Sequence, residues 1–466
     1  MVRLLDTALV VAAVLGTATY AQKIVPECGS GLGNCPSNKP CCSQYGVCGV
    51  GAYCLGGCDP KHSNSLDSCV PAPICKDVDS TFPNLDRVAD KTKYLGDSSK
   101  ADWVSDGQPV IKDGNLLITM APGTVGTVIA STSYVWYGKI SATLRTSYGK
   151  GVVSAFILLS DMKDEIDYEW VGVDLHTTQT NYYFQGIPNY THGGNITVAK
   201  DTYKEFVTYE LDWTPDSITW TVDGQVGRVL KKSDTWNDTA KGYDYPSTPS
   251  RVQLSLWPGG LPTNAKGTID WAGGEIDWKA GDAKDVGYYY VTFKEVKIQC
   301  YDPPSGAKKQ GSGSKSYIYD DRAGFESNVV LTDKDTILKS FLGTGTNMTI
   351  EPAKTSSKGS SATGNSSPSP SDVETIPGLT GAGTGVNGQR GDGSGSSSGG
   401  SGSGSGSGGS SSGSGGSSSG GNGTRGGGGF SQGNSQSSNQ NEATGQKVIK
   451  GSMFAVVIAV VAVIVL

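Results

Sequence analysis

The chain has 466 residues and a formal net charge of −6 at pH 7. Proteins that bind nucleic acids carry clusters of Lys and Arg, and this sequence has no such cluster, so no nucleic-acid partner is expected. Its three histidines, His62, His176 and His192, are scattered along the chain. We therefore expect neither a histidine-based metal site nor a cofactor.

Residues 1–21 have the pattern of a secretory signal peptide. Arg3 precedes an apolar run from Ala8 to Leu15, and small residues lead up to Gln22. The apolar run is too short to cross a bilayer as a helix. We therefore expect cleavage near Ala21 and an extracellular protein.

Cysteine usage predicts a small disulfide-rich module over residues 22–75. A secreted segment of this size cannot bury enough apolar area without cross-links. The eight cysteines that can form four bonds within it are Cys28, Cys35, Cys41, Cys42, Cys48, Cys54, Cys58 and Cys69. We hypothesise that the remaining two, Cys75 and Cys300, pair with each other and join the ends of the long segment between them. A zinc site is disfavoured because the sequence lacks paired C-x-x-C spacing.

The spacing from Cys28 to Cys58, with the run CCSQYGVCG, resembles the hevein-type chitin-binding domain, carbohydrate-binding module family 18. This resemblance implies that a serine and aromatic side chains contact N-acetylglucosamine, and the matching residues are Ser43, Tyr45 and Tyr53. The second aromatic residue of strong binders is replaced by Val47. A purely structural role for the module therefore stays open.

Residues 77–300 are predicted to form β-strands throughout. Stretches such as NLLITMA, VVSAFILLS and EFVTYELDWT alternate in polarity or are rich in β-branched and aromatic residues, and turn signals such as VDGQ and WPGG separate them. We find no amphipathic helix in this segment. The expected fold is an all-β sandwich of roughly 220 residues.

One predicted strand in this segment, in KDEIDYEWVG, carries three acids on one face. Glu165, Asp167 and Glu169 alternate with Ile, Tyr and Trp, so the acids share one face and the apolar side chains the other. Asp164 has the opposite parity and does not belong to the set. Like charges on one face raise each other's pKa. The alternative interpretation is a solvated edge strand.

Paired carboxyl groups on one face are typical of enzymes that cleave glycosidic bonds with retention, in which one carboxylate attacks and one protonated carboxyl donates. The run DEIDYE resembles the E-[IL]-D-x-E signature of glycoside hydrolase family 16, whose fold is a β-jelly-roll sandwich with a sugar cleft. The resemblance spans Asp77–Cys300. It implies that Glu165 is the nucleophile, Asp167 the assisting residue and Glu169 the acid/base.

Two further stretches offer cleft residues. In RVQLSLWPGG, alternation directs Arg251, Gln253 and Trp257 towards the cleft, with Trp257 as a sugar-stacking platform. In KGTIDWAGG, a predicted strand places Thr268 and Asp270 on one face, and the resemblance places both near the substrate. Further candidates in HTTQTNYYFQG, whose register the sequence leaves open, are Gln179, Asn181 and Tyr183.

After Cys300, residues 301–351 form a C-terminal extension, in which SYIYDD and NVVLTDKDTILKSFLG predict a strand and a short helix. Residues 352–446 are rich in Ser and Gly and lack the apolar residues that would offset the entropy of ordering. We expect this segment to be a disordered stalk.

Residues 447–466 end in the apolar run MFAVVIAVVAVIVL, which is short for a transmembrane helix. Small residues, a polar spacer and this apolar end match the layout of a GPI-attachment signal, whose tail is removed. The alternative is a true tail anchor. Asn441 is the expected attachment residue, with Ala443 and Gly445 as alternatives. Six N-x-Ser/Thr motifs are candidate N-glycosylation sites: Asn189, Asn195, Asn237, Asn347, Asn365 and Asn422.

The combination of module, catalytic domain, stalk and GPI signal resembles the fungal Crh-type (Utr-type) chitin–glucan transglycosylases. The resemblance implies a monomeric enzyme of the cell membrane or cell wall that cleaves chitin with retention and transfers it to β-glucan. Its expected partners are those two polysaccharides and the membrane. The alternatives are a plain hydrolase of β-glucan or chitin and a non-catalytic wall lectin, which the complete acidic set disfavours. The sequence does not separate transfer from hydrolysis.

Overall fold

The computed structural model describes residues 26–352, except Pro188 and Tyr190. The predicted signal peptide, the stalk, the GPI signal with Asn441, and the motifs at Asn365 and Asn422 lie outside the described residues. Within the described part of the chain, no helix is long and apolar enough to cross a membrane.

Disulfide bonds hold the N-terminal module together around very little regular structure. It contains β1 (Cys41–Cys42), β2 (Cys48–Gly49) and 3-10 helices at Gly51–Cys54 and Leu66–Ser68. The four bonds are Cys28–Cys42, Cys35–Cys48, Cys41–Cys54 and Cys58–Cys69. Among the described residues no cysteine is free, so these sulfurs offer no thiolate to a metal.

The chain leaves the module through β3 (Ala72–Pro73) and enters a large sandwich. The strands of the sandwich are, in chain order, β4 (Val78–Ser80), β5 (Val88–Asp90), β6 (Trp103–Asp106), β7 (Pro109–Lys112), β8 (Asn115–Met120), β9 (Thr127–Ser131), β10 (Gly138–Arg145), β11 (Val152–Ser160), β12 (Glu165–Val171), β13 (Thr177–Tyr183), β14 (Gly194–Thr197), β15 (Val207–Trp213), β16 (Ser217–Val222), β17 (Gln225–Lys231), β18 (Trp236–Asn237), β19 (Gly242–Tyr243), β20 (Ser250–Pro258) and β21 (Tyr289–Cys300). The interspersed helices are a 3-10 helix at Lys232–Thr235, α1 (Lys266–Trp271) and α2 (Gly281–Asp285).

Two eight-stranded sheets form the layers of the sandwich. The back sheet has the order β17-β16-β15-β10-β21-β8-β7, with β4 added on β21, and the front sheet has the order β14-β13-β12-β11-β20-β9-β6-β5. Strands β18 and β19 form a separate hairpin. The predicted all-β jelly-roll sandwich is confirmed, and α1 and α2 are short exceptions to it.

The main core lies between the two sheets and is rich in aromatic side chains. Trp103, Trp136, Trp170, Trp213 and Trp220 are almost fully buried in it. Strands β10 and β15 bury every second residue, as the pleat of a half-exposed strand requires. Because β11, β12 and β20 are buried on both faces, something must also cover the outer side of the front sheet.

A disulfide bond joins Cys75, before the first strand of the sandwich, to Cys300, the last residue of β21. This is the pairing hypothesised from the sequence. It closes a loop of 225 residues and ties together the two ends of the sandwich.

The C-terminal extension adds β22 (Lys308–Lys309), β23 (Ser316–Tyr319), a 3-10 helix at Glu326–Asn328 and β24 (Val329–Thr332). With β3 these strands form a four-stranded sheet in the order β22-β24-β23-β3. The prediction of a short helix in NVVLTDKDTILKSFLG is wrong. After β24 the chain is irregular, and its apolar residues Leu338, Phe341 and Met348 pack against the core of the N-terminal module.

Candidate active site

The three predicted acids lie on β12, an interior strand of the front sheet. Its neighbours are β11 and β13, so the alternative of a solvated edge strand does not apply. The other face of β12 is held in the main core, where Tyr168 donates a hydrogen bond to the carbonyl of Thr221 at 3.0 Å. The indole of Trp220 also donates to the carbonyl of Asp167 at 3.0 Å. These contacts keep Glu165, Asp167 and Glu169 on the outer face of the front sheet, which we call the acid face.

The acid face is buried in spite of its charge. Glu165 and Glu169 are each 3% exposed and Asp167 is 0% exposed. Burial raises the pKa of Glu165 well above its ordinary value, and the charge of Glu169 raises it further, while Asp167 and the cation of Lys163 oppose the rise. Burial also raises the pKa of Asp167 well above its ordinary value, with the charges of both glutamates adding to it.

Burial raises the pKa of Glu169 to about 8. The indole N–H of Trp257 lies beside this carboxyl and opposes the rise, without a hydrogen bond of normal geometry. One oxygen each of Glu165 and Glu169, and both oxygens of Asp167, have no hydrogen-bond partner in the structure. Buried carboxyl oxygens without partners are rare and point to a ligand.

The register of β13 places a second row of polar side chains beside the acids. Directly opposite Glu165, Asp167 and Glu169 lie, respectively, the residues Tyr183, Asn181 and Gln179. The sequence named these three only as candidates, because a shift of one residue would have turned them to the core. Burial raises the pKa of Tyr183 strongly, and the negative charges of the three acids add to the effect.

Across the sheet, β20 presents Arg251, Gln253 and Trp257 to the acid face, as its alternation predicts. Pairing through β11 puts Gln253 in line with Ile157 and Asp167, and Trp257 in line with Val153. The Trp257 ring is 3% exposed and packs with Val171, Tyr183 and Trp271.

The matches to known proteins agree with this arrangement. The family model "Glycosyl hydrolases family 16" matches residues 97–273. Crh-like protein 2 of Aspergillus fumigatus is 55% identical over 362 residues, which are 77% of this chain and 81% of that protein. Crh-like protein 3 of Botryotinia fuckeliana is 57% identical over 316 residues, which are 68% of this chain and 70% of that protein. The chain belongs to the Crh-like proteins.

A solved structure, that of the Crh5 transglycosylase in complex with NAG, aligns with 58% of the chain and 98% of its own length, at 30% sequence identity and a TM-score of 0.47. Since family 16 enzymes retain the anomeric configuration, this Crh-like protein is a retaining glycoside hydrolase of that family.

The prediction of a strand at KGTIDWAGG is wrong, because the Crh-like protein forms helix α1 there. In a helix, residues three apart share a face, so Thr268 lies with Trp271 instead of Asp270. Thr268 is fully buried, and its hydroxyl has no partner. Asp270 points to solvent with its side chain 60% exposed and accepts from Lys266 at 2.5 Å.

Trp271, which the strand prediction turned away from the cleft, is the residue that α1 brings to the acid face. Its indole donates to Oε1 of Gln179 at 2.8 Å, and its ring stacks on Trp257. No sequence signal short of recognising a helix in this six-residue stretch would have found it.

The hevein-like module lies against the front sheet. The backbone N–H of Gly57 donates to Oδ1 of Asp161 at 3.1 Å, and Lys163 donates to the carbonyl of Gln44 at 3.3 Å. Gln253 of the sheet donates to the side-chain oxygen of Gln44 at 3.4 Å. The module therefore covers part of the front sheet on the side of β20.

The three predicted sugar-binding residues of the module face this junction. Ser43, Tyr45 and Tyr53 line one cavity together with Arg251 and Asp106 of the front sheet. The Ser43 hydroxyl accepts hydrogen bonds from the backbone N–H groups of Tyr45 and Val47, at 3.3 and 3.2 Å. Val47 itself packs against the module core.

Asp164 serves the fold, in keeping with its exclusion from the acidic set. Its carboxylate accepts hydrogen bonds from Ser247, Thr248 and Gln185, and it is 0% exposed. Of the glycosylation motifs within the described residues, Asn189, Asn195 and Asn347 are exposed. Asn237 is half-buried and donates to Asp244 at 2.9 Å.

Proposed function

We propose that this Crh-like protein cleaves chitin with retention and transfers the released chain to β-glucan, with Glu165 as nucleophile, Asp167 as its assisting residue and Glu169 as acid/base. The observation that carries the proposal is the placement of three buried carboxyls on one face of an interior strand. A protein gains no stability from such a cluster, because burial and mutual repulsion both disfavour the charged forms. Glycosidic bond cleavage with retention requires two carboxyl groups in one site, one as nucleophile and one as acid/base, and the cluster supplies both.

In the first step Glu165 attacks the anomeric carbon of the chitin unit and the glycosidic C–O bond breaks. The leaving oxygen takes the proton of Glu169, whose raised pKa keeps that proton in place until it is needed. Asp167 supports the attack, since its proximity lowers the pKa of Glu165 while its own pKa rises.

In the second step a hydroxyl group of β-glucan attacks the glycosyl–enzyme ester. It gives its proton to the Glu169 carboxylate, and the bond to Glu165 breaks. The stacked pair of Trp257 and Trp271 is largely buried beside Glu169, and Trp257 contributes to the wall of the cavity that the incoming sugar would enter. A plain hydrolase would use water in this step, and the membership in the Crh-like proteins favours transfer.

The protein acts at the outer side of the membrane and in the wall as a monomer. Signal-peptide cleavage near Ala21 exports the chain, and a GPI anchor at Asn441 holds it by the stalk. Release of the protein from membranes by a phosphatidylinositol-specific phospholipase tests the anchor. An Asn441 variant that is still released would move the attachment to Ala443 or Gly445.

Chitin oligosaccharides supplied together with a fluorescent laminari-oligosaccharide test the reaction. We expect labelled hybrids that carry both sugars. Shortened chitin without labelled hybrids would contradict transfer and support hydrolysis.

The Glu165→Gln and Glu169→Gln variants test the roles, and each should lose activity by at least about 100-fold. Glu205→Gln is the matched control, because Glu205 is an exposed glutamate before β15. Full activity in Glu165→Gln would refute the assignment.

A further inference from the structure

The cavity between the module and the front sheet has features that the proposed reaction does not use. It measures about 100 Å³, whereas one water molecule needs only about 10–15 Å³. The walls come from both sides, with Tyr45 and Tyr53 from the module and Asp106 and Arg251 from the sheet. The cavity can therefore hold a group much larger than water.

Polar atoms in this cavity lack partners. The hydroxyl of Tyr53 has none, although Tyr53 is only 4% exposed, and neither has Oδ1 of Asp106. The other oxygen of Asp106 accepts from Lys91 at 2.5 Å. Burial raises the pKa of Tyr53, and the charge of Asp106 adds to it, which places the two groups near each other. Partnerless buried donors and acceptors of this kind are suited to sugar hydroxyls and amides.

A second cavity extends from the first towards the catalytic strand. It shares Gln44, Tyr45 and Asp106 with the first and extends over Ile157 and Trp257. Ile157 lies directly beside Asp167, and Trp257 lies beside the carboxyl of Glu169. The two adjoining cavities therefore form one trough, which runs from the residues that the module presents to the residues that flank the catalytic acids.

The module is fixed in this position. Arg322 of the C-terminal extension donates hydrogen bonds to the carbonyls of Pro60, Lys61, Ser63 and Asn64 in the module. Gly51 donates to the carbonyl of Gly343 at 2.8 Å. Gly56 lies so close to Arg251 that a Cβ there would come within 2.6 Å of its guanidinium. These contacts hold the wall that Tyr45 and Tyr53 form in its place along the trough.

We infer that the module and the front sheet together form one distal subsite of the catalytic cleft, which binds an N-acetylhexosamine unit of the same chain that spans Glu165 and Glu169. The aromatic rings of Tyr45 and Tyr53 face the sugar, and the apolar floor of Val104, Val128 and Ala130 takes the acetamido methyl group. The subsite lies three to four strands from β12, which is roughly 14–19 Å, so only a chain of several units reaches it. This inference rests on the proposed function and names where its substrate chain continues.

The test measures kcat/KM of the full chain for long and for short chitin oligosaccharides, and the ratio of the long-chain value to the short-chain value is compared between variants. Tyr53→Phe removes the partnerless hydroxyl and keeps the ring, so folding should be preserved and Tm unchanged or higher. We expect the ratio to fall roughly threefold to tenfold, through KM for the long chains, the effect of one lost hydrogen bond. Tyr45→Ala should lower it at least as much.

Tyr243→Phe, on the exposed hairpin of β18 and β19, is the matched control and should leave the ratio unchanged. Deacetylated oligosaccharides of the same lengths should show a smaller length advantage in the wild-type protein. An unchanged ratio in both Tyr53→Phe and Tyr45→Ala would overturn the inference. A faster reaction of these two variants with chitin oligosaccharides of every length would also overturn it, because the wild-type module would then obstruct the cleft.

Calorimetric binding in the Glu165→Gln background separates this inference from the proposed function. If Glu165→Gln is inactive, but the added Tyr53→Phe substitution leaves the affinity for long chains unchanged, only the inference of a distal subsite is refuted. If Glu165→Gln keeps its activity, the proposed function fails first.

Discussion

Trp257 and Trp271 stack with ring centroids 5.9 Å apart and planes 20° from parallel, although one belongs to strand β20 and the other to helix α1. The pair is linked to the catalytic strand twice. Trp257 lies beside the carboxyl of Glu169, and Trp271 donates to Gln179, the residue opposite Glu169 on β13. Helix α1 therefore helps to position the side chains around the acid/base.

This linkage predicts that Trp271→Phe lowers activity while leaving the fold intact. The phenyl ring keeps an aromatic contact with Trp257 but cannot donate to Gln179. We expect kcat/KM to fall by roughly threefold to tenfold, the effect of one hydrogen bond. Asp270→Asn on the same helix is the control and should stay within about twofold, since a solvent-exposed ion pair contributes little. A larger loss in Asp270→Asn than in Trp271→Phe would contradict this account.

The raised pKa of Glu169 predicts the basic limb of the pH profile. The acid/base must be protonated for the first step, so activity should fall as the pH rises through about 8. Steady-state rates between neutral and alkaline pH measure this limb. If the basic limb stays at the same pH in Glu165→Asp, and Glu169→Gln shows no activity and no such limb, the limb belongs to Glu169.

The same burial predicts a pH-dependent cost to stability. The folded state keeps a proton on Glu169 between the ordinary carboxyl pKa of 4.5 and about 8, while the unfolded chain has released it. The free energy of unfolding therefore falls as the pH rises through this window, by at most about 1.4 kcal/mol per pH unit for this group. Glu169→Gln removes the effect, so its stability relative to wild type should be greatest near pH 8 and least near pH 4.5. Denaturant titrations of both proteins near pH 4.5 and near pH 8 would measure this change. The same stability difference between Glu169→Gln and wild type at both pH values would count against a buried, protonated Glu169.

The bond between Cys75 and Cys300 should stabilise the sandwich strongly, because it closes a loop of 225 residues. A double Cys75→Ser, Cys300→Ser variant should lose about 2–5 kcal/mol in the free energy of unfolding. Thermal unfolding of the oxidised proteins measures the loss. Retained Tm in the double variant would mean that strand pairing alone holds the two ends together.

Arg322 should determine how firmly the module is held. Its guanidinium reaches four carbonyls between Pro60 and Asn64, a set that the single ammonium of a lysine cannot satisfy. Arg322→Lys should therefore raise amide exchange in the module to nearly the extent that Arg322→Ala does. Lys308→Ala, which removes an exposed ion pair with Asp320, is the control. Equal protection in all three variants would show that the apolar contacts of Leu338 and Phe341 are sufficient.

The sequence by itself determined the features that depend on local pattern. The i, i+2, i+4 spacing of Glu165, Asp167 and Glu169 needs only a strand, and the apolar residues between them leave one way for that strand to face. Alternation in β20 likewise assigned Arg251, Gln253 and Trp257 to the acid face, and the count of cysteines left Cys75 and Cys300 to pair.

Only the tertiary structure decided the rest. Six residues at Lys266–Trp271 are too few for periodicity to separate a helix from a strand, and only the structure shows the helix that stacks Trp271 on Trp257. The register of β13, which brings Tyr183, Asn181 and Gln179 to the acids, is set by its pairing with β12 and not by its own pattern. The position of the module depends on contacts between residues more than 200 positions apart, such as Gln44 with Gln253, and no local signal encodes those.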